Sequence, residues 1–166
     1  MTLTPRSYAA VALVLSAALL IGAWIFQYGF GYAPCQMCYW QRHAHKAVIG
    51  ISVLVMIWNM ANGARKRRFG TVLIMLAFLI SAGLALWHVG VEMGIIEALP
   101  SCAGASVDLS AIGNGDLLGS LDKKIKPPAC SEVAWSLFGI SMAGYNAIVS
   151  LLGAAMGAVA LRRPNA

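Results

Sequence analysis

Four cysteines are the residues of this chain best equipped for chemistry, and they come as two unlike pairs. Cys35 and Cys38 enclose Gln36 and Met37, and Arg42 follows four residues after the second thiol. Cys102 and Cys130 are separated by 27 residues. A disulfide across a two-residue gap closes too small a loop to take much entropy from the unfolded chain, so it suits exchange better than stapling. The wider pair reads two ways, as a staple for a loop with little core of its own or as a second exchanging dithiol. Cys-x-x-Cys also serves zinc sites and haem attachment. Tyr39 stands where c-type haem attachment needs His, and the second pair lacks the paired knuckles of structural zinc sites, so no metal is expected.

A helix beginning near Cys38 carries Arg42 and Lys46 along one face at four-residue steps, with His45 close by and His43 pointing elsewhere. A helix N-terminus and nearby cations favour thiolate over thiol, and the thiolate is both the nucleophile in exchange and the donor to an electron acceptor. A cation at the bilayer edge needs a partner or must snorkel to the headgroups. Snorkelling accounts for Lys46, whereas Arg42, one turn from Cys38, is assigned a functional role. A second polar set, Trp87-His88-Val89-Gly90-Val91-Glu92, puts His88 and Glu92 on one helix face, as an interface pair or a proton-handling pair.

The elements that must position these groups follow from composition. Hydrophobic residues make up 60% of the 166 and charged residues only 11%, against about 25% in soluble domains. The chain therefore reads as an integral membrane protein. Its net charge of +6 does not signal nucleic-acid binding, because the charge is segregated rather than spread along a groove. Arg6, Arg65-Lys66-Arg67-Arg68 and Arg162-Arg163 flank apolar runs, and all six acids lie between Glu92 and Glu132. That is the positive-inside pattern.

Apolar stretches at 7–27, 39–61, 69–89 and 135–161 are each near or above the roughly 20 residues that cross a bilayer as a helix. They predict an all-α, four-transmembrane-helix bundle as one domain over 1–166, with both termini cytoplasmic and all four cysteines on the outer side. The first span reads as an uncleaved anchor. The outward loops are then 28–38 and 90–134. Within the second, Leu117, Leu118, Leu121 and Ile125 share a helical face, marking 117–125 as a candidate interfacial helix or a collapsed loop. Gly153-Ala154-Ala155-Met156-Gly157 is expected to pack closely within the bundle.

The run Pro34-Cys35-Gln36-Met37-Cys38-Tyr39-Trp40-Gln41-Arg42 closely resembles the DsbB family of bacterial disulfide-generating membrane proteins. The likeness extends over the whole chain, through the four spans, the thiols in both outward loops and His88–Glu92. It implies a multi-pass inner-membrane protein that reoxidises a soluble periplasmic DsbA-like thiol oxidase and reduces ubiquinone or menaquinone from the membrane pool. The resemblance also implies disulfides Cys35–Cys38 and Cys102–Cys130. By position, Cys102 is attacked by the partner's thiolate, and Cys130 is released to attack Cys35. Cys38 is left as the thiolate facing the quinone, and Arg42 binds a quinone oxygen. His88, Glu92 and Lys46 are further candidates near the quinone. The rival reading is a small membrane assembly or binding protein with two structural disulfides.

Overall fold

The computed structural model describes residues 4–61, 64–102 and 128–162. Among these, four α-helices follow one another: α1 (Pro5–Trp24), α2 (Gln36–Ala61), α3 (Ala64–Glu92) and α4 (Met142–Arg162). The start of α1 is set locally by a capping box, in which the Thr4 side chain accepts from the Ser7 backbone N–H and the Ser7 side chain closes back on Thr4. Pro5, which has no N–H to leave unpaired, takes the first helical position. At its far end α1 continues into a π-helical turn, Ile25–Gly29, which carries Gln27.

α3 packs most extensively on α4, then on α2, and α1 closes the bundle against α2. The mid-bundle core contains Tyr8, Ala12, Val48, Ile74, Phe78 and Ala154. Small residues let the backbones approach. A Cβ on Gly153 would lie 2.9 Å from the Phe78 ring, and one on Gly157 would lie 2.7 Å from Tyr8 Oη. The Tyr8 hydroxyl donates to the Gly153 carbonyl at 2.9 Å. The Gly153–Gly157 stripe is thus an intramolecular packing face.

Three apolar segments, Ser7–Gly29, Arg68–Glu92 and Met142–Arg162, are long and apolar enough to cross a membrane among the described residues. The 26-residue α2, expected to span at 39–61, is not one of them. Gln41, Arg42, His45 and Lys46 dilute its first turns, and Gln41 and His45 are buried inside the bundle. The expected start of the last span also shifts, from 135 to Met142. Residues ahead of α4 instead form a hairpin, β1 (Ser136–Leu137) with β2 (Ile140–Ser141), antiparallel with Leu137 opposite Ile140. Its turn residues Phe138 and Gly139 both have positive φ, 51° and 76°, as the tight turns that match strand twist require. A continuous helix through 138–139 is incompatible with that backbone. The candidate interfacial helix at 117–125 lies outside the described residues.

Candidate redox site

The four cysteines come together at one end of the bundle, where α1 ends, α2 begins, α3 ends and α4 begins. Cys35, Met37, Val91, Cys102 and Cys130 form one buried apolar cluster, with Cys38, Trp40, Trp87 and Leu99 packed against it. Cys35, Cys102 and Cys130 are respectively 5%, 1% and 0% exposed, so the wider pair is not out in solvent. Cys102 closes a short 3-10 turn, Pro100–Cys102, and its carbonyl accepts from the Cys130 backbone N–H at 3.0 Å. That bond joins the two limbs of the second loop.

Cys35 stands just ahead of α2. Its sulfur lies 2.7 Å from the Cys38 sulfur and accepts from the Cys38 backbone N–H at 3.2 Å. Both are free thiols in this structure, as are Cys102 and Cys130. The Cys35 thiol is pushed up to about 12, first by the hydrogen bond it shares with Cys38 and then by burial. The Cys38 thiol, in the first turn of the helix, is lowered instead, first by its hydrogen bond with Cys35 and further by a backbone N–H and Arg42, with burial opposing. The Cys102 thiol is pushed up to about 11, chiefly by burial and then by its hydrogen bond with Cys130. The Cys130 thiol is also raised, first by burial; the Cys102 hydrogen bond opposes this, and Cys35 acts on it as well. Cys130 therefore interacts with a thiol from each pair.

His88 and Glu92 meet as the four-residue spacing predicts, with Nε2 and Oε1 3.8 Å apart. His88 Nε2 also lies 3.6 Å from Cys35 Sγ and 3.2 Å from the Cys130 carbonyl oxygen. A carbonyl can only accept, so Nε2 carries the proton. On the other side of the ring, the Gln41 amide donates to Nδ1 at 2.8 Å, which independently makes Nδ1 the acceptor. The Cys35, Cys38 and His88 donor atoms lie within 4.8 Å of one another, close enough to share a metal ion.

Arg42 is held rather than snorkelling. One guanidinium nitrogen donates to the Gln27 side-chain oxygen and another to the Ala23 carbonyl at 3.1 Å, and the Tyr39 ring lies 5.6 Å from its centre. Cys35, Cys38, Gln41, Arg42, His45, His88 and Glu92 line a cavity of about 380 Å³, walled by apolar residues of α1 and by Trp135, Tyr145 and Asn146. Lys46 is exposed and does not line it. Glu92 also accepts from the Ser141 hydroxyl, tying the end of α3 to the hairpin.

Gln27, Gln41 and Asn146 were not singled out from sequence. Their signal was present: an amide inside or at the end of an otherwise apolar span marks a built polar site.

Buried thiols, a membrane-type helical bundle and an apolar cavity opening beside a dithiol define a helical membrane protein equipped for thiol–disulfide chemistry. Residues 5–160 match the family model for "Disulfide bond formation protein DsbB". The chain belongs to the DsbB family, and so is a disulfide-forming membrane oxidoreductase. It is 29% identical to disulfide bond formation protein B of Marinobacter nauticus over 166 aligned residues, covering 97% of this chain and 95% of the relative. It is 28% identical to the protein of the same name from Xylella fastidiosa strain Temecula1, covering 95% and 92%. Disulfide bond formation protein B 2 of Pseudomonas savastanoi is 30% identical over 77% of this chain and 72% of its own length. No solved structure matches.

Proposed function

We propose that the protein oxidises the dithiol of a soluble periplasmic DsbA-like partner and delivers the electrons to a membrane quinone, ubiquinone or menaquinone. In this reading all four helices span the inner membrane, both termini are cytoplasmic, and the cysteine end of the bundle faces the periplasm. The basic residues flanking the spans support that orientation.

The observation that carries the proposal is the position of Cys130, buried and interacting with both Cys102 and Cys35. In this reading it is the thiol that passes a disulfide between the pairs. The partner's thiolate attacks Cys102 of a Cys102–Cys130 disulfide, forming a mixed disulfide and releasing Cys130. Cys130 then attacks Cys35 of a Cys35–Cys38 disulfide, and Cys38 leaves as a thiolate. The partner's second thiolate attacks the mixed disulfide, closing the partner's own S–S bond and releasing Cys102 as a thiolate. Each exchange makes one S–S bond and breaks one, so electrons balance without an oxidant. The net two-electron oxidation occurs only where Cys35 and Cys38 reclose.

The cavity beside Cys38 fits a quinone by its chemistry. Its volume is within the range of small-molecule sites, its walls are mostly apolar, and cationic and N–H donors converge on its polar end. A quinone bound there supplies the acceptor for the two electrons. Arg42, already oriented by Gln27 and Ala23, would bind a carbonyl oxygen and stabilise negative charge developing on it.

The test is quinone absorbance with purified protein, a short-chain quinone and a reduced DsbA-like dithiol. The wild type is expected to bleach the quinone band and Cys38→Ser to leave it unchanged. Equal rates in both would remove Cys38 from the reaction.

A further inference from the structure

Behind His88 the four helices contribute a continuous line of buried polar side chains. Gln41 donates to His88 Nδ1, and the Asn146 amide donates to Gln41 Oε1 at 2.7 Å. His45 Nε2 donates in turn to Asn146 Oδ1 at 2.6 Å, and Ser16 on α1 lies 3.2 Å from His45 Nδ1. His45, Gln41, His88 and Asn146 are all 9% exposed or less. Every amide in the line is used at both ends, so reversing one reverses its neighbours.

We propose that Gln41 and Asn146 are positioning residues. They hold His88 as the tautomer whose Nε2–H faces Cys35, so that the imidazole stabilises the Cys35 thiolate whenever that sulfur leaves a disulfide. The step in question is the return exchange. The Cys102 thiolate attacks Cys130 of a Cys35–Cys130 disulfide, a Cys102–Cys130 bond forms, and the Cys35–Cys130 bond breaks. Its electron pair leaves on the Cys35 sulfur, where the His88 N–H meets it at the 3.6 Å contact already present. No oxidant enters and no proton is lost.

The Cys130 carbonyl selects the same tautomer, but it belongs to a residue that must exchange partners during the relay. The amides are fixed in helices α2 and α4 and keep the imidazole oriented while Cys130 changes bonds. A carboxylate at position 41 could only accept, and would demand the opposite tautomer.

The proposal rests on Cys35 acting in exchange, so its test separates the two questions. The full chain, labelled with ¹⁵N-histidine and reduced, gives the imidazole tautomers by NMR, with His88→Gln assigning the His88 signals. The wild type is expected to show His88 protonated at Nε2, and Gln41→Met and Asn146→Leu to lose that single tautomer. In chains retaining Cys35 alone, alkylation at neutral pH is expected to be slowed about tenfold by either substitution, the worth of one hydrogen bond to a charged sulfur. Chains retaining only Cys102 are expected to react unchanged, which a general loosening of the bundle would not allow. Protonation at Nδ1 in the wild type, or an unaltered tautomer in both variants, would overturn the positioning role whatever the quinone assay shows. An altered tautomer with an unchanged Cys35 rate would overturn its link to the thiolate. Asn146→Leu, one link removed from the histidine, keeps the test alive should Gln41→Met fail to fold.

Discussion

His88 Nε2 lies 3.6 Å from the sulfur of Cys35, from a helix that begins at the opposite end of the bundle. The contact brings the thiol pair at the start of α2 under the control of α3, and through Glu92 and Ser141 it reaches the hairpin ahead of α4. His88 also contacts the Cys130 carbonyl, so one imidazole touches a residue of each cysteine pair. Replacing His88 by Gln is expected to slow oxidation of a dithiol partner by about tenfold or more, the worth of a hydrogen bond to a charged group. Stopped-flow measurement of partner oxidation checks this, and an unchanged rate would contradict it.

Arg42 is tied to Gln27 and the Ala23 carbonyl, so its guanidinium is oriented before any ligand arrives. Arg42→Ala is expected to raise KM for a short-chain quinone about tenfold or more while leaving exchange with the dithiol partner near the wild-type rate. Arg42→Lys keeps the charge but not the planar fork, and is expected to recover only part of the loss. An effect confined to partner exchange would show that Arg42 serves the wrong end of the relay.

The raised Cys102 thiol fixes the sign of a pH dependence. Burial disfavours the thiolate and pushes this group up to about 11 from an ordinary 9.0. In the folded, reduced protein the thiolate fraction, and with it the alkylation rate at Cys102, is expected to climb about tenfold per pH unit through pH 9 without levelling. The unfolded chain is expected to level near the ordinary value. Site-resolved mass spectrometry reads both, and a plateau by pH 9 in the folded protein would contradict the burial argument.

Helix packing predicts a steep cost at a glycine of α4 and none at a glycine of α1. Gly157→Leu drives side-chain atoms into Tyr8 and Met75 and is expected to destabilise by about 1–3 kcal/mol, seen as a lower Tm in detergent. Gly22→Ala, where a Cβ meets nothing within 4 Å, is expected to be neutral or slightly stabilising. Equal melting of the two variants would mean that the α4 stripe does not pack as described.

The bundle and the gathering of its thiols at one end were legible because they depend on long, strong signals. Apolar run length, segregated charge and the spacing of Cys35, Cys38 and Arg42 each act within one segment. What escaped depends on contacts between segments. The 138–139 turn was hidden because Phe138 carries an apolar side chain and reads as part of a span, although its backbone at φ 51° cannot be helical. Asn146 and Gln41 are single amides whose meaning appears only when α2 and α4 meet, 105 residues apart in sequence. The burial of Cys102 and Cys130 likewise follows from packing against Met37 and Val91, which no loop composition reveals.

The central claim is that Cys130 carries the disulfide from the outer pair to the membrane-facing pair. It is tested most directly in the double variant Cys38→Ser/Cys102→Ser, which retains only Cys35 and Cys130. Mild oxidation of the purified protein, followed by non-reducing peptide mass spectrometry, is expected to yield an intramolecular Cys35–Cys130 disulfide. Two thiols that stay free and fully alkylable under the same oxidant would contradict the relay.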